Sequence, residues 1–165
     1  MPPGRAMNYA DTNWLEAVYI TPDPQDAEGL RRHEIAARFM RRHGGQLALS
    51  HIVLLEARNV FCRVTGERES REWALLEADF DGRIYVDPMN WDLLRRECYS
   101  IFGRYAWKAQ IGTFDAAVVA SAKLAGAKRF LSFDATARAL AAAEGLEIFP
   151  ALDAAGKEMA GRMKR

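Results

Sequence analysis

The chain has 165 residues, 50% hydrophobic and 27% charged, the size and balance of one domain with a single core, and this argues against disorder. Its 23 Lys and Arg against 22 Asp and Glu leave a net charge of +1, so no global field draws it onto nucleic acid or membrane and any anionic partner must be held locally. The longest apolar runs, such as Ile52 to Leu55, are too short to cross a bilayer, and no membrane association is expected.

In chain order, "MPPGRA" has no periodic pattern and no signal-like apolar stretch; it reads as a loose leader with Met7 as the natural start. Residues 7 to 10 form a short strand ending at Asp11, followed by a short helical stretch that Pro22 and Pro24 interrupt. Residues 26 to 43 read as a helix with Leu30, Ile35, Phe39 and Met40 as its apolar stripe, stopped by Gly44-Gly45. "QLALS" (46 to 50) is a strand, and Ser50 caps a helix through about Val64 with Val53, Ala57, Val60 and Val64 on one face. A charged helix over roughly 68 to 79 precedes the Asp81-Gly82 turn. Then come a strand at 83 to 87, a helix from about Asn90 to Tyr105, a helix over about 113 to 125, a strand at 128 to 133, an Ala-rich helix and a last strand, "LEIF". The tail after Pro150 is compatible with helix.

Strands alternating with helices predict a three-layer α/β/α domain with a central parallel sheet, because parallel neighbours need a crossover that the helix supplies. Cys62 and Cys98 have neither a short pair spacing nor a His-rich neighbourhood; both fall in apolar helical patterns and read as core residues of a protein in a reducing cytoplasm.

Four acids stand in informative places. Ligands of open α/β sheets bind outside the carboxyl ends of the strands, and Asp11 and Asp134 each follow a strand. Asp11 also has a turn-forming reading, within Asp-Thr-Asn, and Asp134 a helix-capping one. Glu56 has Ile52, Val53 and Val60 as helical neighbours, so its carboxylate lies on or beside an apolar face, where it is costly unless paired or bound to a cation. Asp115 lies in the first turn of a helix with Val118 and Val119 one turn on. If the four converge, their repulsion calls for a divalent cation, and an all-oxygen set without His or Cys favours Mg²⁺ or Mn²⁺ over zinc. Such a site suits phosphoryl chemistry.

The pieces "YADTNWL", "SHIVLLEARNVF", "FDAAVVASAKLAGAKRFLSFD" and "ALAAAEGLEIFP", in this order between residues 9 and 150, resemble the PIN-domain ribonucleases, especially the VapC-type toxins of bacterial toxin–antitoxin systems. The resemblance implies a PIN-like nuclease domain over 7–150 with a tail, 151–165, of undetermined role. It implies that Asp11, Glu56, Asp115 and Asp134 hold one or two Mg²⁺ or Mn²⁺ ions, with Thr12 and Ser132 as supporting hydroxyls. The implied reaction is hydrolysis of an RNA phosphodiester by metal-activated water, leaving a 5′-phosphate and a 3′-hydroxyl, with Glu56 either orienting the water or binding metal. Trp14 and Glu16 stand where aliphatic residues are more usual, which bears on the cleft wall or on the support of the acids.

An RNA substrate needs basic residues near an acidic cleft; Arg95, Arg96, Arg104 and Lys108 are candidates, with Tyr105 and Trp107 available for stacking, against the plainer reading of solvated helix faces. Arg31-Arg32 and Arg41-Arg42 share that plainer reading, and His33, His43 and His51 read as surface or cap residues. The resemblance further implies an antitoxin protein partner and a homodimer. The competing readings are a catalytically inactive PIN-like module that binds RNA or protein, and a metal-dependent phosphatase; the latter expects a second Asp two residues past the first, where Asn13 stands.

Overall fold

The computed structural model describes residues 7–43 and 46–165, so the leader and the Gly44-Gly45 helix stop lie outside the described residues. Five strands, β1 (Asn8–Ala10), β2 (Leu47–Ser50), β3 (Ile84–Asp87), β4 (Arg129–Leu131) and β5 (Glu147–Phe149), form one sheet in the order β3-β2-β1-β4-β5. Every neighbouring pair is parallel, with Tyr9 opposite Ala48 on one side and Phe130 on the other. The helices among the described residues are α1 (Thr12–Tyr19), α2 (Ala27–His43), α3 (His51–Thr65), α4 (Arg71–Ala78), α5 (Trp91–Tyr105), α6 (Thr113–Leu124), α7 (Ala135–Ala143) and α8 (Ala154–Lys164).

From β1 the chain steps outward through β2 to β3, then crosses back to β4 and outward to β5. Right-handed crossovers therefore put α1 to α4 on one face and α5 to α7 on the other. The packing agrees: α1 lies against α2, α3 and α4, while α5 packs on α6, α6 on α7 and α7 on α8. The connection direction reverses between β1 and β4, which makes their carboxyl ends the topological switch point. β1 and β2 are buried at every position, as expected for central parallel strands covered on both faces.

Several details differ from the sequence expectation: in α2 the buried residues are Ala36 and Phe39, and Leu30 of the expected stripe is exposed. The buried stripe of α3 is Ile52, Val53, Ala57 and Phe61; Val64 is 49% exposed, because the large Phe61 ring turns that face of the helix toward Trp73 of α4. Cys98 is a core residue, but Cys62 is only half-buried, with its thiol on the Arg68 carbonyl at 3.8 Å. Trp14 is fully buried rather than in a cleft wall: its indole stacks on Phe133 (centroids 5.2 Å apart, 13° between planes) and meets Phe39 and Phe149 edge-on. That cluster clamps α1, α2 and β5 beneath the loop carrying Ser132 and Asp134. The tail after Pro150 forms α8, capped by Asp153, with Ala160 and Met163 buried.

Candidate active site

Asp11 leaves the carboxyl end of β1 and caps α1, so its turn and site readings describe the same geometry. Its Oδ1 accepts the Thr12 amide at 2.8 Å, and its Oδ2 accepts the Ser132 hydroxyl at 2.8 Å and the Asn13 side-chain amide at 3.0 Å. Thr12, fixed by the first turn of α1, donates its hydroxyl to Glu56 Oε2 at 2.5 Å and thereby ties the second turn of α3 to β1. Asp115 enters from the first turn of α6, and Asp134 from the N-cap of α7, where its Oδ1 accepts the Ala137 amide at 2.7 Å.

Electrostatic coupling links the four. Burial raises the Asp11 carboxyl; the Ser132 hydroxyl and Thr12 amide counter it, Glu56 and Asp115 add repulsion, and the result is a value pushed up to about 6. Asp115 is also raised to about 6, first by burial, then by Asp134 and Glu56, with the Gly112 amide pulling the other way. No cationic side chain is among the groups that shift either one. Carboxylates from the end of β1, from α3, from α6 and from the N-cap of α7 are thus coupled near the switch point; hydroxyl and amide donors offset part of the repulsion on Asp11, and Arg138 attracts Asp134.

Among the described residues no three His, Cys, Asp or Glu side chains are placed so that together they could hold a metal ion. The donor chemistry fits a hard divalent cation nonetheless: all four ligand candidates are carboxylates, two of them held well above their ordinary range by burial and mutual repulsion.

Asn13 is a supporting residue that the sequence reading passed over. Its amide nitrogen donates to Asp11 and, at 3.2 Å, to Ser132 Oγ, while its Oδ1 accepts the Phe133 amide at 2.7 Å. Ser132 Oγ in turn accepts the Asp134 amide at 3.0 Å. One continuous network therefore fixes the loops after β1 and β4 against each other. A polar residue in the first turn of a helix reads as capping, and only the adjacency of β1 and β4 reveals the bridge.

The basic candidates separate by place. Arg95 pairs with Asp92 at 3.2 Å and Arg96 is exposed on α5. Arg104 binds Glu144 through Nη2 at 2.8 Å, and Lys108 donates to the Met163 carbonyl, so both attach to the far ends of α7 and α8. The cations on the Asp134 side come from elsewhere and are also engaged: Arg138, one turn after Asp134, donates to the Pro150 and Ala151 carbonyls and feels Asp153 and Asp134, while Arg31 and Arg32 pair with Glu28, Arg32 also sitting over the Phe133 ring at 5.6 Å. His33 joins α2 to α1 through the Ala17 carbonyl, His43 lies against Phe39, and His51 is an exposed first residue of α3.

Comparison with solved structures returned VapC20 of Mycobacterium tuberculosis, a sarcin-ricin loop cleaving toxin. It is 20% identical, with a TM-score of 0.62 over 84% of this chain and 95% of that one. FitAcB of Neisseria gonorrhoeae is 17% identical with a TM-score of 0.57, covering 87% and 96% of the two chains. FitAB bound to an IR36 DNA fragment is 18% identical with a TM-score of 0.56, covering 87% and 94%. No curated protein matched the sequence. Residues 10–143 match the PIN domain family, a span that opens one residue before Asp11 and closes past Asp134. The chain belongs to the PIN domain family.

Proposed function

We propose that this protein is a metal-dependent endoribonuclease that hydrolyses RNA phosphodiester bonds, and that it serves as the toxin of a toxin–antitoxin pair. The observation that supports the nuclease reading is the placement of Asp11 at the end of β1, fixed by Ser132 and Asn13 and linked through Thr12 to Glu56, with Asp115 and Asp134 entering from the first turn of α6 and the N-cap of α7. Asp11, Asp115 and Asp134, with Glu56 as either a ligand or a partner of the water, would hold Mg²⁺ or Mn²⁺. When bound, such an ion supplies an activated water and stabilises the charge that develops on the attacked phosphate.

The chain's own residues do the rest. Ser132 and Asn13 hold Asp11 in one rotamer, so its carboxylate does not have to be ordered when substrate arrives. Thr12 occupies Glu56 Oε2, which leaves Oε1 to orient the water or take its proton. Arg31 and Arg32, paired with Glu28, and Arg138, held by the Pro150 and Ala151 carbonyls, are the cations on the Asp134 side that would have to exchange these partners to meet an RNA backbone.

The toxin role, with an antitoxin protein as partner and a homodimer as the working state, rests on the likeness to the VapC20 toxin fold and on the sequence resemblance. A reducing, cytoplasmic location agrees with two free thiols, and no described helix is long and apolar enough to cross a membrane.

The test is cleavage of a mixed-sequence single-stranded RNA by purified protein with Mn²⁺ or Mg²⁺ and with excess EDTA, alongside Asp115→Asn. Cutting that needs metal and disappears in the variant is expected. A folded, metal-binding protein that leaves every RNA intact, including structured ones, would make the chain an interaction module instead.

A further inference from the structure

A cavity of about 330 Å³ opens at the carboxyl end of β3 and runs between α5 and α6 toward Leu124, the last residue of α6. Its walls are apolar, formed by Met89, Leu93, Leu94 and Leu124, and its polar groups include Asp87 and Ser121. Trp91, between two lining residues on the first turn of α5, is 65% exposed.

The polar groups are unusually free. The Asp87 carboxylate has no ion pair among the described residues, and its one hydrogen bond comes from the Met89 amide at a long 3.5 Å. Met89 holds a φ of 57° to make that turn. Close to Asp87 lies the buried Tyr9 hydroxyl, which faces the Ser50 and Ser121 side chains. Ser121 spends its own proton on the Ala117 carbonyl at 2.8 Å and so presents lone pairs.

The lining excludes two ligand classes. No Lys or Arg faces the cavity and Asp87 repels anions, so phosphate and carboxylate groups do not fit. A single carboxylate does not make a divalent cation site. What fits is a neutral, flat ligand with apolar faces that presents N–H donors to an acceptor-only group. Among RNA bases, guanine alone offers two adjacent donors on one edge, its N1–H and exocyclic amine. Adenine, cytosine and uracil set an acceptor beside their donor, and that acceptor would face a carboxylate oxygen of the half-buried Asp87.

The position suits a substrate base. Tyr9 stands two residues before Asp11, about 7 Å along β1, and Ser121 stands six residues after Asp115, about 9 Å along α6. We infer that this cavity receives a guanine base next to the scissile phosphate, with Asp87 reading its edge and the leucine walls covering its faces. The inference rests on the ribonuclease reading for its substrate, and the two are separable by experiment.

Metal-free protein is titrated calorimetrically with guanosine 5′-monophosphate and adenosine 5′-monophosphate, whose phosphates are the same, so that the difference reports the base. Guanosine monophosphate is expected to bind at least about tenfold tighter, and Asp87→Asn, with an unchanged melting temperature, is expected to erase the difference. In parallel, a randomised RNA pool is cut with Mn²⁺ by both proteins and the new ends are sequenced; a guanine bias beside the cut should vanish in the variant. Equal binding of the two nucleotides, or a base bias that survives Asp87→Asn, overturns the cavity assignment, leaves the nuclease standing and returns the cavity to a protein partner. Asp87-dependent guanosine monophosphate binding by a protein that cuts no RNA supports the cavity and overturns the nuclease.

Discussion

The two ends of the α6–α7 pair are opposites: acids alone at the N-termini, and at the C-termini an acid of α7 paired with a cation of α6. At their N-termini Asp115 and Asp134 face Asp11 and Glu56 with no cation among the groups that shift Asp11 or Asp115. About 15 Å away along α7, Glu144 is 3% exposed, bonded to Lys123 of α6 and to Arg104 of α5, with Glu97 sharing Lys123. Burial alone would raise Glu144, yet these partners hold it below the ordinary carboxylate range. Asp115, buried among like charges, is raised to about 6. One end fastens three helices together, and at the other the chain's own donors offset only part of the burial and repulsion that raise Asp11 and Asp115. A domain selected for stability alone has no use for the second arrangement; a site that must hold a cation does.

The sharpest way to break this contrast is Asp11→Asn. If the acid end exists for metal, metal-supported RNA cleavage should fall by about 10³-fold or more, the loss expected when several kcal/mol of charge stabilisation disappears. Initial rates at saturating Mn²⁺ read it directly. The fold should persist with little gain in stability, since the new amide would face donors from Thr12, Asn13 and Ser132 that now meet a carboxylate. Cleavage equal to that of the unchanged protein would remove Asp11 from the site.

The fastened end should respond in stability instead. Glu144→Gln removes the shared counter-charge of Lys123 and Arg104 and should cost about 2 kcal/mol, less than for a fully dry pair because both cations reach water. Urea denaturation should show it as a lower midpoint with unchanged slope. Cleavage measured well below the melting range should change far less than in Asp11→Asn.

These two ends also show why some residues were legible in the sequence and others were not. Glu56 betrayed itself because an acid among Ile52, Val53 and Val60 violates the helix's own pattern, and Asp11 and Asp134 did so by following strands; such signals are local. Arg104 looked like an RNA contact because its partner, Glu144, is forty residues away and meets it only after α5 crosses the ends of α6 and α7. Asn13 was passed over for the same reason, since its bridge to Ser132 and Phe133 spans about 120 residues of chain. The layers and the parallel sheet follow from alternation of strands and helices, whereas the strand order is set by pairings between residues far apart in the chain. The fine orientation of α3, with Phe61 inward and Val64 outward, depends on which neighbour offers room.

A pH series sharpens the contrast further. Asp11 and Asp115 have raised folded values, so in metal-free protein stability should fall as pH climbs from about 4 to about 6, by up to about 3 kcal/mol from Asp11, then level off. Glu144, held low, contributes stability above its unfolded value and loses it as pH falls through the folded one. In Glu144→Gln the acid-end trend should therefore stand out more clearly. Saturating Mn²⁺ should raise the melting temperature strongly at pH 7.5 and weakly at pH 5, where protons compete for the same carboxylates.

The smallest effect tests the support rather than the acids. Ser132 donates to Asp11 and, after burial, is the strongest single influence on that carboxyl, pulling it back toward ionisation. In Ser132→Ala the carboxyl should ionise less readily, so the pH at which metal-supported cleavage reaches half its plateau should move upward by less than about one unit. Ser132→Thr keeps a hydroxyl and should restore the original profile if the added methyl is accommodated. A plateau rate that drops without any movement of the pH limb would mean that Ser132 shapes the loop through the Asp134 amide and leaves the ionisation of Asp11 to Asn13 and Thr12.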